Sequence, residues 1–185
     1  MKVEKDYEEF LRLLNRNKVR YCIVGAYALA FYAEPRYTKD MDILIAPSAA
    51  NARAILKTLH QFGFGELELS EKDFIATRRI IQLGYEPVRI DLLTSIPSCT
   101  FARVWKNRKI GYYGDEKTYF ISLDDLLRNK KASRRTRDHA DAELLSLIKK
   151  RKQKRFLHRI PSARAGSRSG KGIRIEDRPK RPRRQ

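Results

Sequence analysis

Asp40 and Asp42 stand one residue apart in KDMDILI, and Asp91 is the lone carboxylate of VRIDLL. Side chains of a strand alternate between faces, so Asp40 and Asp42 project to one side while Met41 and Ile43 project to the other. By the same alternation Val88, Ile90 and Leu92 share an apolar face, which leaves Arg89 and Asp91 on the opposite one. Two like charges side by side on a strand repel, and a stretch this apolar keeps both only if something cationic sits between them. A divalent metal is the simplest such cation, and it makes these carboxylates candidates for metal-assisted chemistry.

The elements that must position them can be read around residues 21–45, YCIVGAYALAFYAEPRYTKDMDILI. Residues 19–24 read as a strand that breaks at Gly25, where the backbone turns sharply into a helix over 26–33. A strand, a small-residue pair and a helix amino terminus together can hold a phosphate on exposed amides and the helix dipole, although Gly-Ala alone reads as a tight turn. The acidic strand follows at 41–45. Ser48 is placed to cap a helix through residue 61 whose Ala52, Ile55, Leu56 and Leu59 face inward. Upstream, Tyr7, Phe10, Leu11, Leu13 and Leu14 recur at helical spacing over residues 5–17.

Farther along, residues 74–83 and 88–93 read as two strands joined around Gly84. A short helix over 98–106 carries Phe101 and Trp105, and residues 109–120 form one or two strands split at Gly114 and Asp115. Ser122, with Asp125 three residues on, marks a capping box. A basic linker over 130–137 leads to a last helix over about 136–150, with Ala140, Leu144, Leu147 and Ile148 expected on its buried side. The fold class expected is α+β (mixed α/β), a small mixed sheet flanked by helices, in a domain over residues 1–150.

Charge divides the chain unevenly. Of 41 Lys and Arg against 22 Asp and Glu in 185 residues, 16 basic and 2 acidic residues lie from Lys149 onward, leaving a surplus of only 5 in residues 1–148. Residues 151–185 mix Arg, Lys, Ser, Gly and Pro and are expected to be a disordered basic tail. Such a tail either steers the protein to RNA or DNA through phosphate contacts or is a solvated extension. Cys22 and Cys99 imply no disulfide framework and fit a reducing compartment. The amino-terminal MKVEKDYEEF lacks the apolar core of a signal peptide, and the longest uncharged run, residues 21–33, is shorter than the ~20 apolar residues that cross a bilayer. The expectation is a soluble, cytoplasmic protein without a membrane partner.

Together, the strand ending at Gly25, the helix, Asp40-Met41-Asp42 and the later Asp91 resemble the nucleotidyltransferase superfamily that includes DNA polymerase beta. More narrowly, residues 25–42, with PRYTKDMD, and residues 122–145, SLDDLLRNKKASRRTRDHADAELL, resemble the AbiEii-type nucleotidyltransferases of toxin–antitoxin and phage-defence systems. The resemblance covers roughly residues 8–148 and leaves out the tail. It implies a transfer of a nucleotide from an NTP to an acceptor hydroxyl, on tRNA, another RNA or a protein, with release of pyrophosphate. It implies two Mg²⁺ ions, with Mn²⁺ as substitute, on Asp40, Asp42 and Asp91, and a cognate antitoxin as partner. Gly25 matches the first residue of the phosphate-contacting pair; Ala26 departs from the usual Gly or Ser, keeping the amide and losing a hydroxyl. Tyr32 and Ala33 also depart from the common His and Gly.

Arg36, Thr38, Lys131, Arg137 and Asp138 match recurrent positions of the same group. For Arg36 and Thr38 the choice lies between nucleotide contact and loop structure. For Lys131 and Arg137 it lies between triphosphate or acceptor contact and pairing with Asp138 or Asp141. Arg89 either orients Asp91 or makes an ordinary strand ion pair. The alternative to an enzyme is a non-catalytic RNA-binding protein on the same scaffold, suggested by Ala26, Tyr32-Ala33 and the positive charge. A small-molecule nucleotidyltransferase of the antibiotic-modifying kind is a third reading, disfavoured for cationic aminoglycosides by the basic body.

Overall fold

Tyr7, Phe10, Leu11 and Leu14 recur three and four residues apart and are all buried, and they form the inner stripe of helix α1 (Lys5–Arg16). The computed structural model describes residues 3–35 and 38–157. Arg36, Tyr37 and residues 158–185, the greater part of the expected basic tail, lie outside the described residues. After α1 come β1 (Tyr21–Ile23), entirely buried, α2 (Gly25–Tyr32) and β2 (Asp40–Ile45). Ser48 caps α3 (Ala49–Gln61) by accepting from the Asn51 amide at 3.4 Å. The buried Asn51 side chain accepts from the Arg20 amide and donates to the Ala46 and Arg20 carbonyls, so it pins α3 to the β1–β2 end.

Next stand α4 (Glu71–Ile75), β3 (Ile80–Leu83), β4 (Arg89–Leu93) and α5 (Phe101–Asn107). The hairpin β5 (Lys109–Tyr113) and β6 (Glu116–Phe120) leads to α6 (Leu123–Lys131) and α7 (Thr136–Leu157). The six strands make one mixed sheet in the order β3-β4-β2-β1-β6-β5, with β2 parallel to β4 and β1 parallel to β6. The fold is therefore α+β, as expected, with seven helices among the described residues.

Register assigns the helices to the two faces of the sheet. Tyr21, Ile43 and Ile45 share one face, and Tyr21 donates its hydroxyl to Asn15 of α1 there. Cys22 and Leu44 lie on the other face together with Asp40 and Asp42. There α2 packs against β2 and meets α6 and α7. Tyr7 ties the layers together by donating its hydroxyl to the Arg89 carbonyl at 3.1 Å and to that of Lys39, where β4 and β2 begin. Among the described residues no helix is long and apolar enough to cross a membrane.

Two elements differ from the sequence reading. Residues 74 and 75 lie in α4 rather than in a strand, because Asp73 accepts from the Ser70 amide at 2.9 Å and closes a capping box that turns Phe74 into the core. Helix α7 runs to Leu157, past residue 150, in a stretch of Lys, Arg and Gln that favours helix. Its buried side holds Asp141, Ala142 and Leu145, while Ala140, Leu144 and Leu147 are exposed and Ile148 is half-buried. The ion pairs of Lys130 described below fix that rotation, which apolar spacing alone misassigns by less than a turn.

Candidate active site

Parallel pairing of β2 and β4 sets Asp40 opposite Arg89 and Asp42 opposite Asp91. All four side chains therefore stand on one face, and the three carboxylates line a single cleft. Arg89 lies between two of them. Its Nε donates to Asp91 Oδ1 at 2.8 Å, and its Nη2 donates to Asp40 Oδ2 at 2.8 Å and to Asp91 Oδ2 at 3.1 Å. Thr38 donates its hydroxyl to Asp40 Oδ1 at 2.9 Å, so Thr38 meets the site through a carboxylate. The strand ion pair and the orienting role weighed for Arg89 are thus one arrangement: the guanidinium clamps Asp40 and Asp91 in place.

Asp42 is treated differently. No described side chain donates a hydrogen bond to it, and burial pushes its carboxyl up to about 6, helped by the charges of Asp40 and Asp91 and opposed by Lys130 and Arg135. Its carboxylate rests against Gly25. A Cβ built on Gly25 would stand 1.9 Å from Asp42 Oδ2, and Gly25 has φ +60, so both space and backbone require glycine. Val24, the residue before α2, offers its first amides no side-chain acceptor, and Val24, Gly25 and Ala26 line the cleft. The positive end of a helix dipole thus opens beside the carboxylates.

A cationic wall faces them. Lys130 is buried at the end of α6, pairs with Asp138 and stands 3.0 Å from Asp141 of α7. Burial raises the Asp138 carboxyl, but its bonds from Lys130 and Ser133 and the charge of Arg135 outweigh that and hold it low. Lys130, Ser133, Arg135 and Arg137 line the cleft, with Ile80, Leu93, Ile96 and Pro97 on the β3 side, around a cavity of about 530 Å³.

Of the residues singled out in the sequence, the cleft brings together Gly25, Ala26, Thr38, Asp40, Asp42, Arg89, Asp91, Arg137 and Asp138. Lys131 is exposed and lines a separate shallow groove with His139 and Leu147. Lys130 takes the place expected of it. Helical spacing could have found this: Leu123, Leu126, Leu127 and Lys130 share one stripe of α6, and Asp138 and Asp141 face it from one stripe of α7. Arg135 and Gln82, which approaches Asp91 Oδ2 at 3.5 Å, were also missed.

The donor set fits a hard divalent cation in its chemistry: all oxygen, with Asp42 holding a carboxyl group to which no described side chain donates. Among the described residues no three His, Cys, Asp or Glu side chains are gathered tightly enough to cage a metal by themselves. The clamp by Arg89, which draws Asp40 and Asp91 onto itself, accounts for that.

No family model matches the chain, and no curated protein sequence is significantly similar to it. Among solved structures, the crystal structure of the lincosamide antibiotic adenylyltransferase LnuA with lincomycin bound is similar, with a TM-score of 0.52 and 20% sequence identity. The similarity covers 78% of this chain and 97% of that one. At this identity the likeness is one of fold. It supports the nucleotidyltransferase fold expected from the sequence and does not single out the AbiEii-type relatives.

Proposed function

We propose that this protein is a metal-dependent nucleotidyltransferase that moves a nucleotide from an NTP to an acceptor hydroxyl. The observation that carries the reading is the placement of Asp40, Asp42 and Asp91 on one sheet face, with Asp42 laid over the Gly25 turn at the mouth of α2. In the reaction the acceptor oxygen bonds to the α-phosphorus, the bond from that phosphorus to the β-phosphate oxygen breaks, and pyrophosphate leaves. Amides at Gly25 and Ala26 bind phosphate oxygens. Lys130, Arg135 and Arg137 offset the triphosphate charge from the opposite wall. Asp91, the carboxylate Arg89 holds in place, receives the proton of the acceptor hydroxyl. Asp40, Asp42 and Asp91 would hold a divalent cation, which would supply charge neutralisation and acidify the hydroxyl; Mg²⁺ suits the all-oxygen set, as two ions or with Mn²⁺ in its place.

The acceptor is read as an RNA, such as tRNA, or a protein, because the body and tail are both basic. The AbiEii-type resemblance adds a toxin role with an antitoxin partner, whose sign is growth arrest on induction that Asp42→Asn abolishes. A second reading, a non-catalytic RNA-binding scaffold, is favoured by one observation: Arg89 already balances Asp40 and Asp91 without a metal. Labelled NTPs, Mg²⁺ and total RNA or protein extract separate the two. Label transfer by the native chain and none by Asp42→Asn is expected; equal transfer by both refutes the assigned site, and no NTP binding with Mg²⁺ favours the scaffold.

A further inference from the structure

A second cavity, of about 970 Å³, opens at the far end of α2 from the carboxylates, walled by α5, the start of β5, the start of α6 and the last turns of α7. Six cationic side chains converge on it: Arg103, Lys106, Arg108, Lys109, Lys149 and Lys152. Two are neutralised, Arg103 by Asp125 at 2.5 Å and Lys149 by Asp124 at 2.8 Å. Lys106, Arg108, Lys109 and Lys152 pair with no carboxylate among the described residues. Arg108 stands over Trp105, 3.8 Å from the ring centre, and donates its Nη1 to the Trp105 carbonyl, while its Nε is buried and has no hydrogen-bond partner among the described residues. Lys152 stands 5.2 Å over the ring of Tyr32, whose own hydroxyl is committed to the Ile121 carbonyl.

Cations gathered in one concavity repel one another and destabilise the fold unless an anion joins them. Nothing in the packing asks for them, since Lys106, Lys109 and Lys152 are exposed. We propose that this groove binds the phosphodiester backbone of an RNA strand. The cations come from separate elements, α5, the start of β5 and α7, as contacts to successive phosphates of a backbone require, and Tyr32 lines the cavity beside them. An acidic protein would call for apolar anchors at the centre of its footprint, and a membrane for an apolar rim; the lining supplies neither. Along α7 the charge continues through Lys149, Lys150, Arg151, Lys152 and Lys154. Tyr32 stands about 10 Å from Gly25 along α2 at 1.5 Å per residue, so a strand seated here passes within a few nucleotides of the catalytic face.

The inference deepens the acceptor side of the function above and rests on it only for turnover; binding is read with no NTP or metal. The full chain is titrated against a fluorescent 20-nucleotide single-stranded RNA from about 50 to 200 mM salt. The triple variant Lys106→Gln, Lys109→Gln, Lys152→Gln is compared with Lys5→Gln, Lys57→Gln, Lys72→Gln, which removes equal charge from exposed lysines on α1, α3 and α4. All six positions are exposed, so neither variant is expected to melt below the native chain, and the groove variant should melt slightly above the control. The groove variant should bind about tenfold more weakly than the control variant and lower the log–log salt slope by about 2, from about 0.7 per lost phosphate contact. Equal affinity in the two variants overturns the groove and leaves the transfer reaction standing. So does polyglutamate bound as tightly as the RNA with the same groove dependence, which would mark a surface for acidic protein.

Discussion

Gly25 and Asp42 are in contact through the absence of a side chain: the Asp42 carboxylate occupies the space where any Cβ at residue 25 would stand, 1.9 Å from its Oδ2. The strand-to-helix turn and the acidic strand are thereby one unit, and the amides that open α2 are indexed directly to the carboxylate beside them. Gly25→Ala must either strain a residue at φ +60 or push Asp42 away. Expected are a loss of about 2–3 kcal/mol in chemical denaturation and loss of NTP binding by calorimetry. A fully active Gly25→Ala enzyme would show that the contact is incidental.

Asp42 also predicts a pH dependence. Its carboxyl is raised from 3.8 to about 6 by burial and then by Asp40 and Asp91. A group whose folded pKa lies above the unfolded one stabilises the fold most below the unfolded pKa, and that contribution is lost as pH rises through the folded value. Between about pH 4 and 7 the metal-free protein should therefore lose about 3 kcal/mol through this group, at 1.36 kcal/mol per unit. Asp42→Asn should escape the loss, so it becomes the more stable protein as pH rises, with the gap level above pH 7. Denaturant titrations across that range test this, and parallel curves for the two proteins would contradict it. Mg²⁺ added at pH 7.5 should stabilise the native chain and leave Asp42→Asn unmoved.

Arg89 holds two carboxylates on one planar fork, a geometry an ammonium cannot copy. Arg89→Lys should thus keep the charge and lose the clamp. Because the guanidinium is partly exposed, the stability cost is about 1 kcal/mol. The larger effect falls on turnover: kcat down roughly 10–100-fold with the KM for NTP little changed, since the proposed phosphate contacts are at Gly25 and the opposite wall. If KM rises while kcat holds, Arg89 is a substrate contact rather than the residue that positions Asp91.

What could be read from the sequence, and what could not, follows from how local each signal is. That Asp40 and Asp42 share a face, and that Asp91 points away from the apolar side of its own strand, needed only strand alternation and apolar flanks, and both strands formed as read. That they are parallel neighbours in register is a long-range fact, and so is the capture of Asp40 by Arg89, 49 residues away. The β-branched and aromatic residues at 74–83 suggested one strand, and a capping box one residue before α4 overrode the first part of it. The rotation of α7 was misread for a related reason: three exposed apolar residues made a plausible stripe, and a buried ion pair chose a different one. The groove at the far end of α2 gathers cations from residues 103–152, a grouping that no window of sequence displays.

Lys130 and Lys131 make the sharpest comparison, being adjacent, identical in type and opposite in setting. Lys130 is buried, lies in the cleft and is paired with both Asp138 and Asp141; Lys131 is exposed in another groove. Removing the ammonium at 130 takes from Asp138 and Asp141, neighbours on one stripe of α7, the buried cation they share, so Lys130→Met should cost about 3–5 kcal/mol. At 131 the same change should stay within about 0.5 kcal/mol. Activity should divide the same way, with Lys130→Met inactive and Lys131→Met near native in NTP binding. To keep loss of fold apart from loss of function, Asp138→Asn and Asp141→Asn are added to Lys130→Met, which removes both carboxylate charges together with the ammonium. If that triple variant melts like the native chain and still binds no NTP, Lys130 serves the triphosphate as well as the helix pair; if it regains NTP binding, the lysine is structural and the cationic wall reduces to Arg135 and Arg137.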